Sequence, residues 1–420
     1  MFSHTLFIIT IASADRLTAN VRDRKGKEIV LAQLDAWELA QAFRRQFEME
    51  PEIFSAPGRV NLIGEHTDYN DGFVLPSAIG FYAHVAVVPR KDRKLILRST
   101  EFEQTFEANI SSAGLHKLGG WCDYVLGVAA QLSARGIQVP GANILVHGEV
   151  PIGAGLSSSA ALEVASAMGF LSLAKAEMPL KEIAKLCQRA ENEFVGAHVG
   201  IMDQFVSCHG RKSNAVMLDC RSLDCELVPI PDSVKFVICN TMVKHELSGG
   251  EYNVRRQQCE AGVRILANAY RGIRALRDVS LQQLQAQASS MPEIIYKRCL
   301  HVVAENDRVI ETARMLRAGD LKSAGKFMAD SHASLRDLYE VSCAELDIMV
   351  EAAQGLLGFI GGRMTGGGFG GCTVNLVEEQ HAAKFAEMVA ERYIAKTTIS
   401  PDVFICSAAD GAGVEIEGRR

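Results

Sequence analysis

The sequence predicts a globular protein with more than one domain and with both helices and strands, and three observations support this. A chain of 420 residues is longer than one compact core usually accommodates, so two domains, or three, are expected. Segments with the apolar spacing of helices are interspersed with short apolar runs typical of strands. The hydrophobic content of 48% and the charged content of 22% are those of an ordinary globular protein.

Residues 1–28 are interpreted as an N-terminal extension that precedes the folded domains. Residues 6–14 form a short apolar run that ends in Ala-Ser-Ala and resembles a secretory signal. No Lys or Arg precedes this run, and it is too short to span a bilayer, so an extension or an early start codon is preferred. The first domain is expected to begin at residue 29.

Helix and strand patterns follow one another along the rest of the chain. The predicted helices are 35–47, 121–136, the segment after Ser159, 180–195, 280–288, 291–316 and 321–328. The predicted strands are 60–63, 73–75, 82–90, 94–100, 143–150, 371–377 and 403–409. Turn-forming residues near 207–215 suggest a boundary between a first domain, 29–210, and a second domain, 211–420.

Net charge and cysteine usage limit the partners and the compartment. The formal net charge of −6 argues against nucleic acid or an anionic membrane as the main partner, so any phosphate should be held by loops and single charges. The 11 cysteines are scattered and none forms a C-x-x-C pair. We therefore expect a cytoplasmic protein without a disulfide framework. It is also expected to be a monomer that acts on small molecules.

An unusual polar cluster lies between two of the predicted strands. Residues 65–71, Glu-His-Thr-Asp-Tyr-Asn-Asp, are all hydrogen-bonding side chains, and Arg59 lies just upstream. The apolar runs 60–63 and 73–75 on either side are expected to be buried. Such a cluster, held between buried strands, is a candidate binding site for a polar ligand.

A glycine- and serine-rich loop precedes the Ala-rich predicted helix. Glycines let the backbone approach a ligand, and the first turn of a helix leaves amide donors free for an anion. The alternative is a turn followed by an ordinary serine-capped helix, but a cap requires only one Ser. No Gly-Lys-Ser/Thr follows, so the loop is not a P-loop. The loop consists of Gly153, Ala154, Gly155, Leu156, Ser157, Ser158 and Ser159.

A second glycine cluster and two acidic residues complete the candidates. Residues 361–371 contain a formal G-x-G-x-x-G, but a strand follows it, so we expect a tight loop that faces the first glycine loop. Glu191 lies at the edge of an apolar helix face, where a carboxylate is either paired, bound to metal or solvated. Asp203 lies in an apolar run, where an Arg partner is the simplest expectation. An Asp near Arg59 stays ionised at neutral pH and can accept a proton from a hydroxyl.

Three segments together resemble the signature motifs of the GHMP small-molecule kinases. They are 57–76, 151–164 and 361–374, and the first is similar to the galactokinase signature almost residue for residue. The resemblance extends over residues 55–411. It implies a two-lobed α+β fold, with a ribosomal S5 domain 2-like N-terminal lobe that has a mixed sheet and a ferredoxin-like C-terminal lobe. The active site is then expected in the cleft between the lobes.

The resemblance also implies an activity and a set of site residues. The activity is transfer of the ATP γ-phosphate, with Mg²⁺, to the anomeric hydroxyl of galactose, with Asp203 and Arg59 as the catalytic pair. Gly153–Ser159 would cover the nucleotide phosphates, and Thr100 is a further match on the nucleotide side. Ser159 and Glu191 would hold Mg²⁺. The residues implied to bind the sugar are Glu65, His66, Thr67, Asp68, Gly200, Asp203 and Tyr252.

Two alternatives are kept open at this stage. The sugar could be N-acetylgalactosamine or arabinose, because the width of the pocket is not readable from the sequence. A sensor that binds galactose and ATP without catalysis is the alternative from another class. The presence of Arg59, Asp203 and an intact serine-rich loop favours an enzyme.

Overall fold

The computed structural model describes residues 7–10, 18–22, 28–32, 35–110, 114–197, 199–244 and 248–416. The predicted N-terminal extension, 1–28, therefore lies partly outside the described residues. In chain order the strands are β1 (Phe7–Thr10), β2 (Thr18–Arg22), β3 (Glu28–Ala32), β4 (Glu52–Asn61), β5 (Phe73–Val74), β6 (Pro76–Pro89), β7 (Lys94–Ser99), β8 (Phe106–Asn109), β9 (Ala142–Gly148), β10 (Asn214–Asp219), β11 (Cys225–Pro229), β12 (Val234–Lys244), β13 (Phe359–Thr365), β14 (Gly370–Glu378), β15 (Asp402–Cys406) and β16 (Gly413–Ile416).

The helices connect and cover these strands. They are α1 (Ala36–Phe47), α2 (Cys122–Ala134), α3 (Ser158–Leu173), α4 (Leu180–Arg189), α5 (Met202–His209), α6 (Ser248–Ala269), α7 (Leu281–Ala286), α8 (Glu293–Arg317), α9 (Leu321–Ser334), α10 (Ala344–Ala353) and α11 (Glu379–Thr397). The predicted helix 35–47 is confirmed, and Asp35 caps α1 by accepting a hydrogen bond from the amide of Glu38 at 2.8 Å. The predicted helix 180–195 is confirmed in extent, but its last part, Ala190–Val195, is π-helical.

The first lobe is built on a mixed sheet, as predicted. Its strand order is β16-β4-β6-β9-β7-β8, and all neighbours are antiparallel except β7 and β9. Helix α3 packs on β4 and β6, which places the beginning of α3 beside the end of β4. The register of β4 against β6 shifts between Pro57 and Arg59. Such a bulge redirects a side chain, here that of Arg59, at the end of the strand.

The second lobe has the predicted ferredoxin-like pattern. The β-α-β-β-α-β pattern is formed, in chain order, by β12, α10, β13, β14, α11 and β15. Helix α10 directly precedes β13, and α11 directly precedes β15. The sheet order is β1-β15-β12-β14-β13, and β1 extends the sheet as a parallel neighbour of β15. The loop between β13 and β14 carries the second glycine cluster and reaches the first lobe.

Two pairings cross the predicted domain boundary, which itself stays a prediction. Strand β16, near the end of the described chain, pairs with β4 in the sheet of the first lobe. Strand β10 pairs with the short strand β5, which directly follows the polar cluster. Both lobes also share one apolar core, which includes Val60, Phe170 and Val374. The lobes are therefore packed together around the polar cluster.

Two further features concern the cysteines and the length of the helices. All eleven cysteines lie within the described part of the chain and are free thiols. None of the helices in the described ranges has the length and apolar character needed to cross a bilayer.

Candidate active site

A cavity of about 380 Å³ opens between the two lobes. The polar cluster after β4, the segment before α5, helix α6 and the β13–β14 loop each supply part of its wall. It brings together every predicted catalytic and sugar-binding residue except Thr67. The lining residues are Arg59, Glu65, His66, Asp68, Gly196, Ala197, Val199, Gly200, Met202, Asp203, Tyr252, Asn253, Gly366 and Gly367.

Arg59 and Asp203 form a two-pronged ion pair at the edge of this cavity. Nε of Arg59 donates to Oδ1 of Asp203 at 2.8 Å, and Nη2 donates to Oδ2 at 2.7 Å. The remaining nitrogen, Nη1, donates to the carbonyl oxygen of Gly155 at 2.6 Å. Burial by itself lowers the pKa of Arg59, but the charges of Asp203 and Glu65 outweigh this and raise it. The planar fork fixes the orientation of the carboxylate, as the predicted pairing required.

Glu65 is the first of three residues, Glu65, His66 and Asp68, that we call the polar shelf. Its side chain is buried, and Oε1 accepts a hydrogen bond from the amide of Gly366 at 2.7 Å. The fully buried guanidinium of Arg363 lies 3.5 Å from the same oxygen. A carboxylate in this environment requires such partners. The second lobe therefore holds Glu65 in position.

His66 is buried and adopts a left-handed backbone conformation with φ of 64°. This conformation is costly for a residue other than glycine and is found at functional sites. Burial, followed by the charges of His301 and Arg363, lowers the pKa of His66 to about 3. The imidazole is therefore neutral at physiological pH, and its cavity-facing side can exchange hydrogen bonds without carrying charge.

Asp68 lies against Gly200 on the opposite side of the shelf. A Cβ atom added to Gly200 would lie 1.6 Å from Oδ2 of Asp68, so only glycine fits at this position. Burial, followed by the nearby carboxylate of Asp203, raises the pKa of Asp68 to about 7. Gly200 thus acts by leaving room for the carboxylate, which explains its appearance among the predicted sugar-binding residues.

Thr67 differs in placement from the other predicted sugar-binding residues. Its side chain is fully buried beneath the shelf, and Oγ1 lies 2.8 Å from the carbonyl oxygen of Gly64 and 2.6 Å from that of Phe73. It does not line the cavity. The predicted substrate contact of Thr67 stays a prediction. The hydroxyl contacts a carbonyl oxygen at either end of the shelf loop, which satisfies the buried group and holds the loop together.

The first glycine loop leads into α3 with the geometry expected of an anion site. Gly153 and Gly155 have φ of 73° and 74°, and Ser157, just before α3, has φ of 61°. The side chain of Ser157 makes no capping hydrogen bond to the helix and instead donates to Oδ2 of Asp203 at 2.6 Å. The alternative of an ordinary serine cap is therefore wrong. Ala154 and Leu156 are buried and secure the loop from below.

The two glycine loops face each other across the cleft, as predicted. A Cβ atom added to Gly366 would lie 3.8 Å from the carbonyl oxygen of Gly155. The second glycine cluster runs into strand β14, which begins at Gly370, and not into a helix, in agreement with the rejection of a dinucleotide-binding motif. Thr100, by contrast, does not line the cavity; Oγ1 bonds with Oε1 of Glu101 at 2.5 Å and with Nδ1 of His147 at 2.7 Å.

Ser159 and Glu191 fit a hard divalent cation. Oγ of Ser159 donates to Oε1 of Glu191 at 3.1 Å, and Nε2 of Gln204 donates to Oε2 at 2.6 Å. Both partners are uncharged, and burial, followed by Asp203, raises the pKa of Glu191 to about 7. A buried carboxylate beside a hydroxyl is an all-oxygen ligand set of the kind that Mg²⁺ prefers. In the described ranges no group of three or more His, Cys, Asp or Glu side chains could hold a metal alone.

Several lining residues were not singled out from the sequence. Gly196, Ala197 and Val199 belong to the segment between the π-helical turn and α5, Met202 is the first residue of α5, and Asn253 follows Tyr252 on α6. In the sequence, the only indication that this segment lines the site is that it directly precedes Asp203. Arg363, which supports Glu65, lies within the second glycine cluster and was overlooked there because only its glycines were considered.

Comparisons with known proteins agree with this geometry. Residues 41–89 match the galactokinase galactose-binding signature, residues 123–211 match the GHMP kinase N-terminal domain, and residues 312–395 match the GHMP kinase C-terminal domain. The chain is 44% identical over 388 residues to a galactokinase of Roseiflexus sp. (strain RS-1), covering 92% of this chain and 99% of that one.

Solved structures show the same relationship. The Lactococcus lactis galactokinase complexed with galactose superposes with a TM-score of 0.85 at 34% identity, covering 89% of this chain and 98% of that one. The Methanococcus jannaschii mevalonate kinase shares the fold, with a TM-score of 0.59 at 19% identity, 85% coverage of this chain and 98% of that one. Sequence match, fold and cavity thus agree, and the chain belongs to the galactokinase family of the GHMP kinases.

Proposed function

We propose that this chain transfers the γ-phosphate of ATP to the anomeric hydroxyl of galactose, producing galactose 1-phosphate and ADP. The observation that carries the proposal is the Arg59–Asp203 ion pair, which lies between the polar shelf and the first glycine loop. The relative from Roseiflexus is named as a galactokinase, and the structure from Lactococcus lactis was solved with galactose. Both agree with a hexose on the shelf side of the cavity.

Asp203 is proposed to accept or orient the proton of the attacking hydroxyl. Its Oδ2 receives hydrogen bonds from Arg59 and from Ser157, which hold the carboxylate in a fixed orientation. Arg59 in turn offsets negative charge as the phosphoryl group moves. Phosphoryl transfer leaves the protein little covalent chemistry, so alignment and charge neutralisation account for most of the rate.

The polar shelf is proposed to select the sugar. A pyranose presents hydroxyls that both donate and accept hydrogen bonds, and Glu65, His66 and Asp68 offer fixed partners of different kinds. An epimer with one misplaced hydroxyl leaves a buried shelf group without a partner, which is costly. Tyr252, whose ring centroid lies 5.6 Å from that of His66, forms the wall beside the shelf.

The first glycine loop is proposed to hold the nucleotide phosphates. The free amides at the start of α3 and the left-handed glycines favour a negatively charged ligand there. Ser159 and Glu191 would hold Mg²⁺, which, when bound, neutralises charge on the β- and γ-phosphates. Thr100 stays a predicted nucleotide contact. A cytoplasmic location and a monomeric state also stay predictions.

A product assay tests the proposal. The full chain is incubated with ATP, Mg²⁺ and, in separate reactions, galactose, glucose, N-acetylgalactosamine or arabinose. We expect ADP formation with galactose above all others and a product whose phosphorus couples to the anomeric proton in a ³¹P–¹H correlation spectrum. A phosphate at another carbon, or a preference for N-acetylgalactosamine, would contradict the assignment. Tight binding of galactose and ATP without ADP would instead identify a sensor.

A further inference from the structure

One ring nitrogen of His66, Nε2, is buried and has no side-chain hydrogen-bond partner in the described part of the chain, and the backbone of Gly367 lies close to the ring. The side chain is only 4% exposed. His66 and Gly367 both line the cavity, so a ligand bound there lies against the His66 ring. Whether Nε2 donates or accepts depends on which ring nitrogen carries the proton, because a neutral imidazole has one donor and one acceptor.

The other nitrogen, Nδ1, is the end of a buried chain of hydrogen bonds. Nδ1 lies 2.8 Å from the hydroxyl of Tyr69, and that hydroxyl lies 2.8 Å from the hydroxyl of Tyr339. The Tyr339 hydroxyl in turn lies 3.2 Å from Sγ of Cys259. We call Tyr69 and Tyr339 the tyrosine relay. It connects the shelf to α6 in the second lobe.

The far end of the relay is rigidly held. Tyr339 is fully buried in a π-helical turn, Leu335–Tyr339, that continues α9. Nε of Arg255 donates to the backbone carbonyl of Tyr339 at 2.9 Å. Nη1 of Arg298 donates to the carbonyl of Leu338 at 2.5 Å. The Tyr339 hydroxyl therefore has little freedom to leave its neighbours.

Rings packed on His66 restrict its movement as well. The ring centroid of Tyr339 lies 4.7 Å from that of His66, and that of Tyr252 lies 5.6 Å away. Burial raises the pKa of both Tyr69 and Tyr339 well above the usual value, so both are uncharged phenols. Both tyrosines of the relay are thus neutral. The heavy-atom positions do not show which partner is the donor in each hydrogen bond, so this must be argued from chemistry.

Two directions are conceivable, and chemistry favours one. If Tyr339 donates to Tyr69, then Tyr69 donates to Nδ1, and the Cys259 thiol donates to Tyr339. In the reverse direction, an imidazole N–H donates to a phenol oxygen and Tyr339 donates to sulfur. Imidazole nitrogen is a good acceptor for an acidic phenol, whereas sulfur is a weak acceptor. In the first direction the two phenol hydroxyls donate to the Tyr69 oxygen and to Nδ1 of His66, and both of these atoms are better acceptors than sulfur.

We propose that the tyrosine relay holds His66 in the Nε2–H tautomer, so that His66 donates a hydrogen bond from Nε2 to one hydroxyl of the sugar. The inference rests on the proposed function only for the identity of the ligand. Tyr69 and Tyr339 are positioning residues, since they act through His66. The hydroxyl that receives this bond must direct its own proton elsewhere, and the carboxylates of Glu65 and Asp68 are the acceptors on the same shelf.

The tautomer is read directly by NMR in the free protein. The full chain is prepared with ring-¹⁵N-labelled histidine, and the His66 signals are identified by their loss in His66→Gln. We expect a protonated Nε2 and an unprotonated Nδ1 in the wild type. In Tyr69→Phe, which removes the donor to Nδ1, a mixture of tautomers is expected. A wild type with protonated Nδ1 would overturn the proposal even if Tyr69→Phe failed to fold.

Kinetics supply the second readout. Tyr69→Phe should raise the KM for galactose about two- to tenfold, the worth of one hydrogen bond, and leave the KM for ATP unchanged. Tyr339→Phe should act in the same direction with a smaller change. Tyr393→Phe is the matched control, because its hydroxyl donates to the carbonyl of Thr241 at 3.0 Å outside the cavity. Unchanged galactose KM and tautomer in Tyr69→Phe would refute the relay.

The two proposals fail in distinguishable ways. A protonated Nε2 in a chain that does not phosphorylate galactose would leave the relay standing and refute the proposed function. Galactose turnover in a chain with protonated Nδ1 would refute the relay alone.

Discussion

The polar shelf and the first glycine loop face the same cavity but are built from different parts of the chain. On the shelf the recognition groups are side chains, and each is held by a partner in the structure, as Gly366 holds Glu65. On the loop they are main-chain groups, exposed because Gly153 and Gly155 adopt left-handed conformations. Fixed side chains distinguish stereoisomers, whereas amides and a helix terminus accept any well-placed phosphate. The two surfaces therefore divide sugar selection from nucleotide binding.

Asp203 lies where the two surfaces meet, so its removal should have the largest effect. Asp203→Asn keeps the shape but removes the charge that accepts the proton, and we expect kcat to fall by about 10²–10⁴-fold. The dissociation constants of ATP and galactose should change far less. Asp330→Asn, at an exposed ion pair with Lys326, serves as a control. Steady-state assays with calorimetry measure both effects; near-normal turnover in Asp203→Asn would refute the catalytic role.

Gly200→Ala tests the shelf alone. The new Cβ would lie 1.6 Å from Oδ2 of Asp68 and must displace it. We expect kcat/KM for galactose to fall about tenfold or more, because a shelf group would be misplaced, while the KM for ATP stays the same. Gly80→Ala is the matched control, since a Cβ there meets nothing within 4 Å. A change in the KM for ATP as large as that for galactose would argue against separate surfaces.

Gly155→Ala tests the first glycine loop together with the contact of its carbonyl oxygen to Arg59. A Cβ at this position meets no atom within 4 Å, so the change acts only through the left-handed φ of 74°, which costs about 1–2 kcal/mol for an alanine. We expect the KM for ATP to rise about tenfold if the loop relaxes, with galactose binding retained. Gly136→Ala has the same kind of strain, with φ of 82°, far from the cavity. Equal effects of the two variants on ATP would contradict the assignment.

Asp68→Asn should weaken galactose binding, as expected of a shelf residue, and it should also have an effect on stability, which is the smallest effect predicted here. The pKa of Asp68 is raised from its usual value to about 7, so between about pH 4 and pH 7 the folded protein holds a proton that the unfolded chain has lost. The contribution of Asp68 to stability therefore falls as pH rises through this window. Thermal unfolding should show Asp68→Asn more stable than wild type at pH 8, with the difference shrinking towards pH 4. A constant difference would contradict the raised pKa.

The sequence predicted the parts of the site that belong to local motifs. Arg59 and Asp203 were expected to pair, and the two glycine loops were expected to face each other, since each feature is recognisable within a few residues. The α+β lobes followed from the family resemblance more than from periodicity. Strand β16 was not predicted, because its pairing with β4 joins residues far apart in the chain.

Contacts within the site were harder to predict for the same reason. Thr67 was assigned to the ligand with its polar neighbours, and the contacts of its hydroxyl with backbone carbonyls were not anticipated. Ser157 was expected to cap α3 or contact phosphate, yet its hydroxyl reaches Asp203, 46 residues away. Tyr339 lies 270 residues from Tyr69, so no local pattern could reveal the relay. Such contacts depend on how the lobes dock.

A crystal structure with galactose and a non-hydrolysable ATP analogue tests the central claim most directly. We predict that the C1 oxygen of galactose lies within about 2.6–3.2 Å of an Asp203 oxygen, the reach of a general base. The triphosphate should lie along Gly153–Ser159, with its terminal phosphorus facing that oxygen. A sugar with any other hydroxyl at Asp203, or a nucleotide bound away from the glycine loop, would contradict the account.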